Sequence, residues 1–166
     1  MNGVISTEQK YVDMKTGPVE KIYEAFSAIA DDRVRFISEE GCLMPTAQGV
    51  AKVTSSDGNK TYTVTWQGED YTSNDNATYW QGYAGYPVIA VLMLQGRLPL
   101  DRGISDLFKG INWTEFNNAH KRDYSAALDE IIDKRGIDRS VISGVVQETY
   151  SLLGALPVNI GKGKMR

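Results

Sequence analysis

The spacing of apolar residues changes from helical to alternating early in the chain. Residues 17 to 32 place apolar side chains three and four positions apart, as on one face of a helix. Pro18 suits the first turn of such a helix, because the amide proton that proline lacks would be unbonded there. Residues 33 to 38 then alternate polar with apolar, which predicts a strand after the helix.

A β-hairpin is the clearest local prediction. Two runs rich in β-branched residues flank Asp57-Gly58, a pair that tolerates the positive φ angles of a tight turn. We therefore predict strands near residues 50 to 55 and 60 to 66. The side chains expected on the buried face of this ribbon are Val53, Tyr62, Val64 and Trp66.

Residues 87 to 94 form an uninterrupted apolar run between a proline and a glycine. A helix that is apolar on every side is typical of a protein core. The run is much shorter than the roughly 20 apolar residues that a membrane span requires. The sequence therefore predicts a buried helix, and neither a membrane anchor nor a membrane partner.

The C-terminal part has mainly helical spacing. Helices are predicted over residues 103 to 109, 112 to 136 and 139 to 154. Gly136 is expected to end the second of them, and Asp138 to cap the third. The tail from residue 159 is basic and interrupted by glycines, and we expect it to be frayed.

These elements predict an α+β fold: an N-terminal helix with a small antiparallel β-sheet, followed by a C-terminal group of three to four helices sharing one core. The two parts are residues 1–75 and 76–166, and no linker separates them into independent domains. With 166 residues, of which 42% are hydrophobic, the chain is large enough for one compact domain.

Charge and cysteine content narrow the function classes. The formal net charge of -3 argues against a generally basic nucleic-acid protein. The first residues lack the basic region and apolar run of an export signal. Cys42 is the only cysteine, so it cannot form an intramolecular disulfide or a cysteine-based zinc cluster. We therefore expect a soluble cytoplasmic protein with a reduced thiol.

The residue types that common reactions need are scarce. His120 is the only histidine, and it lies on the apolar face of a predicted helix, where a core or edge histidine bonded to one partner is expected. The acidic pairs are adjacent in sequence, so their side chains point to different sides. We therefore predict no catalytic residue, no metal site and no cofactor, which favours a protein that is not an enzyme.

A cluster of aromatic residues interleaved with glycines is the first candidate site. Aromatic rings with polar tips favour interfaces and small-molecule pockets, and glycines let a ligand approach the backbone. Three interpretations stay open: a seam between sheet and helices, a homo-oligomer interface, and a ligand pocket. The candidate residues are Tyr79, Trp80, Tyr83, Tyr86 and, from the hairpin, Trp66.

Residues 128 to 150 are the second candidate site, because they resemble a DNA-binding helix-turn-helix. Gly136 occupies the turn, and Ile142 and Val145 would be the buried residues of the second helix. The resemblance implies that this helix enters the major groove of DNA. The residues that would then face the bases are Arg139, Ser140, Ser143 and Gln147.

Two functions from different classes follow. The first is a non-catalytic interaction or small-ligand-binding module that uses the aromatic and glycine-rich segment, with itself or a small molecule as partner. The alternative is a helix-turn-helix regulator with DNA as partner. The other interpretation of residues 128 to 150 is a core-forming helical pair.

Overall fold

A computed structural model describes residues 11–13, 16–40 and 47–163. Cys42 lies outside these residues, so the expectation of a reduced thiol stays a prediction. The strands are β1 (Tyr11–Asp13), β2 (Val34–Glu40), β3 (Gln48–Thr54), β4 (Thr61–Gln67), β5 (Asp70–Ser73) and β6 (Asn159–Lys162). The helices are α1 (Glu20–Ala30), α2 (Tyr86–Leu94), α3 (Arg102–Asp106), α4 (Trp113–Ala119), α5 (Tyr124–Arg135) and α6 (Arg139–Ala155), and a π-helical segment spans Ala77–Gln81.

The described strands form one six-stranded sheet in the order β1-β6-β5-β4-β3-β2. The predicted hairpin is confirmed, since β3 and β4 pair antiparallel and Gly58 adopts a φ of +79° in the turn. Val53, Val64 and Trp66 lie on the buried face of this ribbon, as their alternation predicts. All neighbouring strands are antiparallel except β5 and β6, which run parallel.

Helix α2 lies between the sheet and the other helices. It contacts β2, β4 and β5 on one side and α1 on the other. Every residue from Pro87 to Met93 is buried, which confirms the prediction of a core helix. In the described residues, no helix combines the length and the apolar character needed to cross a membrane.

Helix α1 joins the core to the helical part. All of its residues from Lys21 to Ile29 are buried, and it contacts α2, α3, α5 and α6. The Ser27 hydroxyl donates to the Phe108 carbonyl at 2.5 Å and accepts from Trp113 Nε1 at 2.8 Å. The start of α4 is thereby fixed against the middle of α1.

The single helix predicted over residues 112 to 136 is wrong, because the structure has two helices there. Lys121 and Arg122 adopt the left-handed conformation, with φ of 54° and 66°, which ends α4. The Asp123 side chain then accepts from the Ala126 backbone N–H at 3.1 Å and caps α5. At the break, His120 Nε2 lies 2.6 Å from Glu130 Oε1, in line with a core or edge histidine bonded to one partner.

The predicted frayed tail is also wrong over residues 159–162. These residues form β6, which pairs with β1 on one side and β5 on the other. Val158 and Ile160 are buried, so the end of the described chain adds apolar side chains to the core. The mixed α+β class is confirmed, although the sheet has six strands and draws one of them from the C-terminal part.

Candidate functional site

A cleft of about 650 Å³ opens between α1, the hairpin turn, the π-helical segment and the start of α4 and α5; we call it the polar cleft. Side chains of both charges line it. The basic ones are Lys21, Arg33, Lys60 and Arg122, and the acidic ones are Glu24, Asp57 and Asp75. Its volume lies within the range of small-molecule sites in proteins.

Two charged groups of α1 are buried at the floor of the polar cleft. Lys21 Nζ lies 3.4 Å from Glu24 Oε2, and the two side chains are only 10% and 4% exposed. Asn117 Nδ2 lies 3.4 Å from the same carboxylate oxygen. Burial raises the pKa of Glu24, although Lys21 opposes the rise. Burial alone would lower the pKa of Lys21, but Glu24 and nearby tyrosines raise it, so the ammonium stays charged.

Arg33 forms part of the wall, and its side chain is 10% exposed. Its Nη1 donates to the Thr54 carbonyl at 2.6 Å, and its guanidinium carbon lies 5.8 Å from the centre of the Tyr86 ring. Nε and Nη2 are buried and have no hydrogen-bond acceptor in the described part of the chain. Nε lies 3.5 Å from Asp31 Oδ2, a contact of opposite charges without hydrogen-bond geometry.

Three of the five aromatic candidates line the polar cleft: Trp80, Tyr83 and Tyr86. Trp80 is 63% exposed at the rim. Tyr86 meets Tyr62 edge to face, with ring centres 6.4 Å apart, at the seam between α2 and the sheet. Burial raises the pKa of Tyr62, Tyr83 and Tyr86, so their hydroxyls stay protonated at neutral pH.

The other two aromatic candidates lie elsewhere. Trp66 is 3% exposed and stacks on Tyr71, with ring centres 6.1 Å apart, in the core beneath the sheet. Tyr79 contacts Trp80 edge to face, and the Lys162 ammonium lies 5.1 Å from the Tyr79 ring centre. Nearness in sequence grouped these rings, but Trp66 belongs to the core, and Tyr79 contacts Trp80 and Lys162 without lining the cleft.

A buried network fixes the segment that carries Trp80. The Asp75 carboxylate accepts from the Thr78 backbone N–H at 3.1 Å, and the Thr78 hydroxyl accepts from the Gly85 N–H at 3.0 Å. A Cβ added to Gly85 would lie 2.0 Å from Asp75 Oδ2, so only glycine fits there. Helices of the π type are uncommon and often occur at functional sites.

Sequence reasoning missed the charged residues of the polar cleft. Lys21 and Glu24 lie one turn apart beside the apolar face of α1, a position that reads as solvated until α4 and α5 cover it. Arg33 begins a predicted strand and gives no signal of its own. One indication of a buried charged pair is present in the sequence: a basic and an acidic residue stand among the apolar residues of the helix.

The helix-turn-helix candidates lie on α6, which follows α5 after a three-residue turn containing Gly136 with a φ of 64°. Arg139 forms an ion pair with Asp129, and the Ser140 backbone N–H and hydroxyl both donate to Asp138. Ser143 and Gln147 are exposed. The predicted cap at Asp138 is confirmed, whereas a role in reading bases stays a prediction.

Comparison with known proteins gives a family and no further match. Within the described residues no group of three or more histidine, cysteine or acidic side chains is placed to hold a metal ion. No curated protein and no solved structure matches the chain. A family match spans residues 14–159 and takes in every residue that lines the polar cleft. Since it covers most of the chain, the protein belongs to the family described as Uncharacterised conserved protein UCP014422.

Proposed function

We propose that this protein is a binding module that holds a small polar molecule in the polar cleft. The observation that carries the proposal is the buried pair of Lys21 and Glu24 at the floor of a cleft large enough for such a molecule. Charged groups are costly to bury unless partners surround them. A polar ligand would supply the partners that the chain itself provides only in part.

The geometry of the floor supports this reasoning. An ammonium group has three donors, and the Glu24 contact at 3.4 Å is long for a charge-assisted hydrogen bond. Asn117 Oδ1 is buried without a hydrogen-bond partner among the described residues. Floor and wall therefore hold enclosed donors on Arg33 and an enclosed acceptor on Asn117 that have no hydrogen-bond partner among the described residues.

The aromatic rim supports a ligand with a ring or another flat surface. Trp80 exposes most of its side chain, although a tryptophan buries a large area when it packs. The Asp75 network holds the backbone on both sides of Trp80, at Thr78 and Gly85, and the Trp80 ring packs edge to face on Tyr79. A backbone that is already held loses little freedom on binding, which favours affinity.

Native mass spectrometry of the freshly purified protein, followed by calorimetry with any retained molecule, tests the proposal. We expect Trp80→Ala to weaken binding about tenfold, which corresponds to about 1.4 kcal/mol. Val141→Ala is the matched control, because Val141 is 59% exposed on α6 and does not line the cleft. Binding that is equal in the wild type and in the Trp80→Ala and Lys21→Met variants would place the ligand elsewhere. A multiple of the chain mass that Trp80→Ala dissociates would instead make this surface a homo-oligomer interface.

A second candidate function, DNA binding by α5 and α6, is favoured by the three-residue turn and the exposed start of α6. A test of DNA binding can use the ion pair between Arg139 and Asp129. If Arg139 contacts phosphate, Arg139→Ala should weaken duplex binding and Asp129→Ala should strengthen it, with affinity falling steeply as salt rises. Binding that ignores both substitutions and salt would rule this function out.

A further inference from the structure

We propose that the polar cleft recognises an anionic group of its ligand, a carboxylate or a phosphate, through the Nε and Nη2 edge of Arg33. The inference rests on the proposed function and adds the chemical class of the ligand. It concerns one side chain, so it can fail while the cleft still binds a neutral molecule.

The guanidinium is fixed by contacts that leave one edge unused. Nη1 is occupied by the Thr54 carbonyl, and the ring of Tyr86 lies against the guanidinium. Nε and Nη2 point along a common edge and have no hydrogen-bond acceptor in the described ranges, although both are buried. Two parallel N–H groups match the two oxygens of a carboxylate or phosphate, which is why arginine is preferred for these groups.

Asp31 does not fill this edge. Its Oδ2 lies 3.5 Å from Nε, and its Oδ1 already accepts the Gly110 backbone N–H at 2.8 Å. A contact at this distance without alignment is not a hydrogen bond. Asp31 therefore offsets part of the charge of Arg33 without accepting a hydrogen bond from it.

The acidic side chains of the cleft are occupied by donors of the chain itself. Glu24 accepts from Lys21 and Asn117, and Asp57 accepts from the Ser55 hydroxyl at 2.6 Å and the Asn59 N–H at 3.0 Å.

Asp75 is occupied in the same way, by the Thr78 N–H and the Ser73 hydroxyl. Around Nε and Nη2 the described residues provide no acceptor in hydrogen-bond geometry, and an anionic group that reaches this enclosed edge supplies one. Tyr62 and Tyr86 also line the cleft, and their protonated hydroxyls can donate to further oxygens of that group.

Side-chain ¹H–¹⁵N spectra of the arginines test the inference on the wild-type protein. Inorganic phosphate and acetate are titrated separately at constant ionic strength, and the Arg33 Nε signal is assigned by its loss in Arg33→Lys. We expect that signal to shift and saturate with at least one anion. The Arg35 signal, assigned through Arg35→Lys, is the internal control, because Arg35 is exposed on β2 and does not line the cleft.

The outcomes separate the sources of the anionic group. Saturation with phosphate alone indicates a phosphate-bearing ligand, with acetate alone a carboxylate-bearing one, and with both a site for either. An Arg33 signal that stays unchanged, or that drifts in proportion with Arg35, overturns the inference.

Asp31→Asn adds a second test that does not alter Arg33. If Arg33 holds anions, removing the neighbouring negative charge should lower the anion concentration at which the Arg33 Nε signal saturates. If the response disappears in Asp31→Asn, Arg33 depends on Asp31 and the inference fails. A neutral molecule that binds the cleft with no change at Arg33 would leave the proposed function standing and exclude an anionic contact.

Discussion

Helices α1 and α2 are both buried on every side, yet they are built from different residues. From Pro87 to Met93, α2 carries only apolar side chains, and packing against the sheet and α1 accounts for its burial. Helix α1 buries Lys21, Glu24 and Ser27 among its apolar residues. Helix α2 can be buried because this stretch has no polar side chains, whereas α1 can be buried because its polar side chains have partners.

The partners of α1 divide it into two halves. Ser27, in the middle, has short hydrogen bonds to Phe108 and Trp113, so its burial is purely structural. Lys21 and Glu24, in the first turns, have contacts of 3.4 Å and face the polar cleft. The comparison teaches that incomplete satisfaction of buried charges distinguishes the candidate site more clearly than burial itself.

The largest loss of stability is expected from truncating a buried side chain of α2. Leu92 is fully buried, and Leu92→Ala should lower the free energy of unfolding by about 4 kcal/mol through lost burial and a cavity. Urea unfolding measures this loss. Leu152→Ala is the control, because Leu152 is 41% exposed and its truncation should cost no more than about 0.5 kcal/mol. Equal losses in the two variants would contradict the central place of α2.

A smaller but pH-dependent effect is expected from breaking the charged pair of α1. Lys21→Met leaves Glu24 buried without its cation and should cost about 3 kcal/mol at neutral pH. Burial already raises the pKa of Glu24, and the loss of Lys21 raises it further. The folded state then retains a proton that the unfolded state releases, so stability falls as pH rises above the unfolded value of about 4.3.

Unfolding of Lys21→Met should therefore be measured at several pH values. The amount by which its free energy of unfolding falls below that of the wild type should be smallest in acid, where Glu24 is neutral in both the folded and the unfolded state. This difference should grow until the pH passes the pKa of Glu24 in the folded state. Lys60→Met is the control, because Lys60 is an exposed cation of the same cleft. A deficit independent of pH would show that Glu24 does not respond to Lys21.

The smallest of the three effects concerns the structural half of α1. Ser27→Ala leaves the Phe108 carbonyl and Trp113 Nε1 without a partner and should cost about 2 kcal/mol. Ligand affinity in the cleft should change less than in Lys21→Met, because Ser27 does not line it. Ser151→Ala, an exposed serine on α6, is the control for unfolding measurements. If Ser27→Ala affected ligand binding more strongly than stability, it would contradict the division of α1 into a structural half and a half that faces the cleft.

Much of the fold follows from local signals. The β3–β4 hairpin, the core helix α2 and the cap at Asp138 could be predicted because each depends on a few neighbouring residues. The break after Ala119 could not, since apolar spacing continues across it from Phe116 to Tyr124 and only the backbone turns. Pairing of β6 depends on residues far apart in sequence and has no local signature.

The lining of the candidate site could be predicted in part, where its residues are neighbours in sequence. Trp80, Tyr83 and Tyr86 stand together in sequence and also line the cleft. Trp66 could not be separated from them, because sequence does not show that it points into the core. Arg33 reaches the cleft from the start of β2, and the proximity of Lys21 and Arg33 arises only from the way α1 packs beside the sheet.

Strand β6 also fixes the order in which the sheet is completed during synthesis. It lies between β1 and β5, yet its residues leave the ribosome after every described helix has been made. Until then the backbone of β5 has one row of unpaired amide and carbonyl groups, and such an edge pairs readily with other chains. The nascent protein therefore carries an aggregation-prone edge while residues 74–158 are made, and residues 159–162 close it.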